Sequence, residues 1–378
     1  MYIEIHGVEF VNKGAELMLH AVLQQVGRRI PAAELVLSPG KIRPYKDRAK
    51  LGAYQKIWFT KNGVPWGMYL GRLVNRRLRQ RFGLVTHDEI GIVFDASGFA
   101  YGDEWGAENA VIMAKAFRRW KKIGTRIILL PQAMGPFGSR DIRQAVSSMI
   151  RDADLVFPRD DVSFKHVTDL VGRLDHVVQA PDFTNMVEGV APEWLVDGER
   201  SFCIIPNCRM MDKTSADKSR AYVPFLAHCI QYLAARGLKV FMLLHAGDDD
   251  LRVCNEVNKA CGHELPVIRE PDPLKVKGII GRCRGIVASR YHALVSALSQ
   301  GVPVLATGWS HKYETLLTEY DFLDGFVSPD AAQAEIEAKL NRVMDGDGAA
   351  RRKLLERAKL QKARTEEMWR RVFECLRV

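Results

Sequence analysis

No Cys-x-x-Cys pair occurs anywhere in this chain. Its seven cysteines, Cys203, Cys208, Cys229, Cys254, Cys261, Cys283 and Cys375, are odd in number and lie among apolar neighbours. That pattern makes neither a disulfide framework nor a zinc site, and it fits reduced thiols in a cytosolic protein. No apolar run approaches the ~20 residues that a membrane-spanning helix needs. The chain starts on Tyr2-Ile3-Glu4-Ile5-His6-Gly7, which reads as a strand and a turn, without the basic and apolar stretches of a secretory leader. No internal repeat and no nucleic-acid-binding motif is present. These absences argue against a metal centre, a secreted disulfide scaffold, an integral membrane protein and a nucleic-acid partner. They leave a cytoplasmic protein, or one attached at the inner face of the cell membrane.

Negative charge is in short supply. With 55 Lys and Arg against 45 Asp and Glu, the chain carries +10, which points to an anionic partner such as phosphate or an acidic membrane surface. Part of the surplus is local. Arg72, Arg76, Arg77, Arg79 and Arg81 lie in residues 64–84, where Leu70, Leu73, Val74, Leu78 and Phe82 recur at helical spacing behind Trp66 and Tyr69. The stretch reads as one short basic amphipathic helix, suited to a membrane interface. An alternative reading is a solvated basic helix whose apolar stripe packs on its own domain.

At 378 residues the chain exceeds a single compact core, so two domains are expected. Short apolar runs alternate with helical patterns along its length. Strands are expected at 2–5, 34–38, 91–95, 126–131 and 155–159, with helices at 14–30, 109–123 and 141–153 between them. The same alternation resumes with strands at 202–206, 239–244, 266–268, 286–288 and 303–306. Helices are expected there at 221–237, 249–261, 272–283 and from His292 to Ser299. Apolar runs of this kind suit parallel strands covered on both faces. The fold class is therefore α/β: two Rossmann-like doubly wound domains facing across a cleft, the architecture of GT-B glycosyltransferases. The expected division is residues 1–190, residues 191–347, and a charged C-terminal helix at 348–378 packing back across both.

The densest signal is Ser289-Arg290-Tyr291-His292-Ala293-Leu294, followed by Gly301-Val302-Pro303-Val304. A cation and an imidazole sit where a buried strand turns into a helix. Helix N–H groups point outward there and ligands of open α/β sheets bind there. The bland alternative is a buried Arg and His satisfying backbone carbonyls. Other polar groups fall at expected strand ends: Asn12 to Glu16, Asp95 with Ser97, Gln132, Arg159 with Asp160, Asp182, Asn207, His245 and Lys312. Asp160 and Ser163 read more simply as a helix cap. Asp182 reads as a turn partner, and His245 equally as an ordinary strand-end histidine.

Gln132…Gly135-Pro136, Arg159-Asp160 with Ser163, Pro181-Asp182, Ser289-Arg290-Tyr291-His292 and Lys312 occur in an order and spacing that resembles the polysaccharide pyruvyl transferases. The resemblance spans nearly the whole chain. Gly14-Ala15-Glu16 and Asp95-Ala96-Ser97-Gly98 depart from it, since that family usually has Gly-Asp and a run of Gly at these places. It implies an enzyme that moves the pyruvyl group of phosphoenolpyruvate onto two hydroxyls of one sugar as a cyclic ketal. The sugar would belong to a bacterial surface polysaccharide or its lipid-linked precursor. Neither metal nor cofactor is required in principle, because Arg and Lys can neutralise the phosphate. The expected roles follow. Arg290 and Arg159 bind the donor's phosphate or carboxylate, with Lys312 a secondary anion contact. His292 is the general acid, and Glu16 or Asp95 the acceptor-side base. Asn12, His245 and Ser289 complete the binding set. The rival expectation is a GT-B glycosyltransferase with a nucleotide-sugar donor, against which stands the lack, in the second half, of an aromatic shelf placed to stack a base.

Overall fold

The computed structural model of the chain describes residues 1–377 except 63, 196, 263 and 345–347. It contains two compact units. The first comprises residues 1–10, 18–183 and 364–378, the second residues 11–17 and 184–363. The expected boundary at residue 347 falls outside the described residues.

The first unit holds seven strands: β1 (Tyr2–His6), β2 (Glu34–Leu37), β3 (Tyr54–Lys56), β4 (Leu84–Val85), β5 (Ile90–Asp95), β6 (Arg126–Gln132) and β7 (Leu155–Pro158). They pair in parallel in the order β4-β3-β2-β1-β5-β6-β7. Chain order reverses between β1 and β5, which makes the gap beyond their carboxyl ends the switch point of the sheet. The loops after these strands approach closely there, since a Cβ on Gly7 would lie 2.3 Å from Ser97 Oγ. One face is filled by Val93, Ile127, Leu129, Phe117, Trp120 and Met149. From the helix Ala349–Leu376, Trp369 packs edge-on against Phe94 and Phe183 in this unit.

The second unit holds β8 (Ser201–Ile205), β9 (Lys239–Leu243), β10 (Val267–Ile268), β11 (Gly285–Ala288) and β12 (Val304–Ala306). They are again parallel, in the order β10-β9-β8-β11-β12. Side-chain alternation divides its interior in two. Cys203, Ile205, Ile286 and Ala288 face one cluster with Ile279, Leu294 and Leu317; Phe202, Ile204 and Val287 face the other with Phe225, Ile230 and Leu340. Apolar residues on both faces of every central strand explain the unbroken apolar runs in the sequence. The switch point lies between β8 and β11.

Two local expectations are corrected. Residues 64–84 do not form one helix. They form a helix Trp66–Leu70, a 3-10 turn Gly71–Leu73, an extended Val74 and a second helix Arg76–Arg81. The break falls at Asn75, whose side chain accepts from Arg77 N at 2.9 Å and so starts a new helix rather than continuing the old one. Strands β3 and β4 were not anticipated, being two or three residues long and held by neighbouring strands rather than by any pattern of their own.

Candidate active site

The site grows from the carboxyl ends of β8, β9 and β11. Just past β11, Ser289 is fully buried, and its carbonyl accepts from Asn207 Nδ2 at 2.7 Å and Tyr313 Oη at 3.0 Å. Its hydroxyl is bonded to Tyr222 Oη, which also accepts from Asn207 N at 2.9 Å. Burial keeps the Tyr222 phenol protonated, its pKa pushed well up. Ser289 therefore fixes the end of β11 to the end of β8 across the switch point.

Arg290 starts the helix Tyr291–Leu298. Its guanidinium is bonded to Asp250, a carboxylate only 1% exposed that also accepts from Cys208 N at 2.9 Å. Burial pulls the guanidinium pKa down, but Asp250 outweighs it and the net direction is up. Arg290 is thus a permanent cation with an enforced orientation. Arg290 Nε and Asp250 Oδ2 remain buried without a hydrogen-bond partner among the described residues.

His245 follows β9 and is buried, with Nδ1 unbonded among the described residues. Its pKa is driven well below the ordinary value, first by burial and then by the charges of Arg290, His292 and Lys13. Arg290, His292 and Lys13 therefore all lie within electrostatic reach of the His245 ring. His292 is half-buried on the first turn of the helix, its ring edge-on to Tyr291. A Cβ on Gly14 would lie 2.4 Å from His292 Nδ1, so the glycine admits the imidazole. The loop carrying Gly14 is anchored by Lys13 N donating to the His245 carbonyl at 3.0 Å. Lys312 is buried with Nζ 4.3 Å from the Trp309 ring centroid and 5.9 Å from that of Tyr291. A cation held over aromatic faces is attracted by their ring quadrupoles.

The remaining expected residues fall as follows. Asn12 Oδ1 accepts from Gly14 N at 3.0 Å, shaping the turn into the helix Lys13–Arg29. Glu16 accepts from Lys13 Nζ at 2.6 Å, and the same ammonium reaches the Pro271 carbonyl at 2.8 Å. Asn12, Glu16, His245, Ser289, Arg290, His292 and Lys312 all belong to the second unit, as do Lys13 and Asp250. Asp95 and Arg159 belong to the first. Asp95 is fully buried, accepting from Ser97 N at 3.0 Å, from Ser97 Oγ, and from Tyr101 Oη at 2.6 Å. With both oxygens engaged, it holds the turn after β5. Arg159 is 2% exposed and donates to Asp182 at 3.2 Å, a buried clamp within that unit. Asp160 caps the helix Asp161–Val171 through Ser163 N at 2.7 Å, as the bland reading held.

Sequence reasoning passed over Asp250, and it gave Lys13, inside the Asn12 to Glu16 segment, no role of its own. Asp250 sits in the run Asp248-Asp249-Asp250, which reads as acidic decoration of a helix start; only the fold turns the third of them inward. Among the described residues, no group of three or more His, Cys, Asp or Glu is placed to hold a metal ion.

Two parallel-sheet units of this kind define the class: the fold is that of the GT-B glycosyltransferases and related epimerases. UDP-GlcNAc 2-epimerase from Neisseria meningitidis, solved bound to UDP-GlcNAc, is similar with a TM-score of 0.60 at 9% identity, over 100% of this chain and 99% of that one. HepE from Anabaena, solved with UDP and glucose, has a TM-score of 0.57 at 13% identity, over 100% and 99%. MurG from Acinetobacter baumannii has a TM-score of 0.50 at 10% identity, over 99% of both chains. No curated protein matches the sequence at a significant level. The family model for polysaccharide pyruvyl transferase matches residues 12–311. The chain belongs to the polysaccharide pyruvyl transferase family, and is a transferase of polysaccharide biosynthesis. No helix of the described chain is long and apolar enough to cross a membrane.

Proposed function

We propose that this protein transfers the pyruvyl group of phosphoenolpyruvate to two hydroxyls of one sugar, within a bacterial surface polysaccharide or its lipid-linked precursor. The acceptor would be met in the cytoplasm or at the inner membrane face. The observation that carries the reading is the basic cluster of Lys13, His245, Arg290 and His292 over the switch point of the second sheet. A small dianion with a carboxylate matches such a cluster better than a neutral sugar does.

The reaction balances as follows. Carbon 3 of the enol takes a proton and becomes a methyl group. The oxocarbenium-like carbon 2 is attacked by one sugar hydroxyl. The C–O bond to phosphate then breaks, phosphate leaves with the electron pair, and the second hydroxyl adds. Of the two hydroxyl protons, one replaces that delivered to carbon 3 and the other leaves with phosphate. In this scheme Arg290, oriented by Asp250, grips the phosphate, and Lys312 contributes a second positive charge. His292 delivers the proton to carbon 3. Glu16 is the acceptor-side base, within reach of Lys13 for exchange of its partner. His245, neutral in the free enzyme, becomes a donor to the bound anion.

Thermal shift of the purified protein against phosphoenolpyruvate and against UDP-sugars tests the donor. A ligand at 100 times its dissociation constant stabilises by about 2.7 kcal/mol. Stabilisation by phosphoenolpyruvate, with phosphate released only when acceptor is added, is the expected result. Stabilisation by a UDP-sugar alone would refute the donor assignment in favour of glycosyl transfer, the activity class that the UDP-bound fold relatives make the rival. His292→Ala should bind phosphoenolpyruvate and fail to turn over; an active His292→Ala enzyme overturns its role.

A further inference from the structure

We infer that the surface formed by residues 59–82 is a docking face for an anionic lipid bilayer. The inference stands whether or not the donor assignment holds, because it rests on the first unit alone. Among the described residues, 18 large apolar side chains are exposed, and seven of them fall between Phe59 and Phe82. A stretch of that length would carry about one if they were spread evenly. The same neighbourhood lacks acids: residues 48–87 contain nine Lys or Arg and no Asp or Glu.

The local packing forces these side chains outward. Gly67 lies so close to the preceding segment that a Cβ there would sit 2.8 Å from the Ile57 carbonyl oxygen, and Met68 beside it is buried. With positions 67 and 68 facing inward, Trp66, Tyr69 and Leu70 share the outer face of their helix at i, i+3 and i+4 spacing. In the second helix Arg79 turns inward, bonding the Val74 carbonyl at 3.1 Å and pairing with Glu89. That leaves Leu78 and Phe82 outside at i, i+4, next to Arg77 and Arg81 at the same spacing. Leu73, on the turn between the helices, is 81% exposed and Phe82 is 64% exposed. Lys61, Arg76, Arg77 and Arg81 are exposed and make no ion pair with the described residues, whereas Arg72 is held by Asp88.

A bilayer fits this composition. Trp66 and Tyr69 have apolar bodies with a polar tip and settle at headgroup depth. Leu73 and Phe82 reach the acyl boundary. Arginine stems lie along apolar surface while their heads stay with lipid phosphates. Two short helices in place of one long one give a shallow footprint, compatible with release.

The test is cosedimentation of the full chain with vesicles of phosphatidylcholine alone and of phosphatidylcholine with one-third phosphatidylglycerol. Binding to the anionic vesicles, lost on raising salt, is expected. Leu73→Asp/Phe82→Asp should abolish it. Arg76→Gln/Arg77→Gln/Arg81→Gln should weaken it about a hundredfold. All five side chains are exposed, so an unchanged circular dichroism spectrum confirms folding. No binding to anionic vesicles, equal binding to both kinds, or variants that bind like the parent would overturn the inference. A concentration-dependent dimer that Leu73→Asp/Phe82→Asp dissolves, without vesicle binding, would also overturn it and assign the face to a second copy.

Discussion

Replacing Arg290 should cost stability as well as activity, and the two costs should separate. Asp250 is 1% exposed and carries the guanidinium as its only cationic partner among the described residues. At hydrogen-bond range and an effective dielectric near 20, the attraction is about 4 kcal/mol, offset by the desolvation of both groups. Arg290→Met keeps most of the stem's packing but strands a buried carboxylate, a change that costs about 3–5 kcal/mol. For a unit of this size that is a drop of roughly 10 °C in melting temperature. Adding Asp250→Asn removes the stranded charge while an amide oxygen can still accept from Cys208 N. The double variant should recover most of the lost stability, a coupling measurable by a double-mutant cycle in urea. It should recover none of the turnover, because no guanidinium remains to bind donor. A double variant as unstable as Arg290→Met would refute the stranded-charge account. A double variant that turns over phosphoenolpyruvate normally would refute the anion-binding role of Arg290.

Three further outcomes are expected. Gly14→Ala should cut turnover at least tenfold with little loss of melting temperature, because the new methyl lands 2.4 Å from His292 Nδ1 and turns the ring aside; normal kinetics would show that the imidazole's position is immaterial. Glu4, buried in the first sheet and bonded by Lys56 Nζ at 2.7 and 3.0 Å, is pushed up by burial but pulled further down by Lys56 and His6, to about 2 from 4.5. A folded pKa below the unfolded one gives stability that is complete above pH 4.5 and lost as pH falls toward 2, worth about 3 kcal/mol from Glu4 and less for the pair, since burial also lowers Lys56. Acid titration of denaturant unfolding should therefore flatten in Glu4→Gln/Lys56→Met, and an unchanged acid limb refutes the assignment. His245, held neutral by burial and neighbouring cations, should gain a proton when an anion screens those cations. Calorimetry of phosphoenolpyruvate binding near pH 6 in buffers of different ionisation heat should then show proton uptake, absent in His245→Gln.

Much of the architecture is legible in the sequence alone. β1, β5, β6, β8, β9 and β11 are short apolar runs, and a run buried on both faces announces a central parallel strand by itself. Asp160 announced its cap for an equally local reason, a side chain bonding the backbone three residues on. The order of motifs, compared with a known family, fixed the family that the residue match at 12–311 then showed. Local periodicity could not resolve residues 64–84, where Asn75 bonds Arg77 N to start a second helix and Gly67 seats against residues 57–59. Nor could it separate Asp250 from Asp248 and Asp249, or see that Asp95 would bond Ser97 and Tyr101. The sequence by itself determined the central strands and most of the long helices, because that information lies within a few residues of chain. Only the tertiary structure decided which charges meet, because Arg290 and Asp250 stand forty positions apart and become neighbours when β11 and the end of β9 are laid in one sheet.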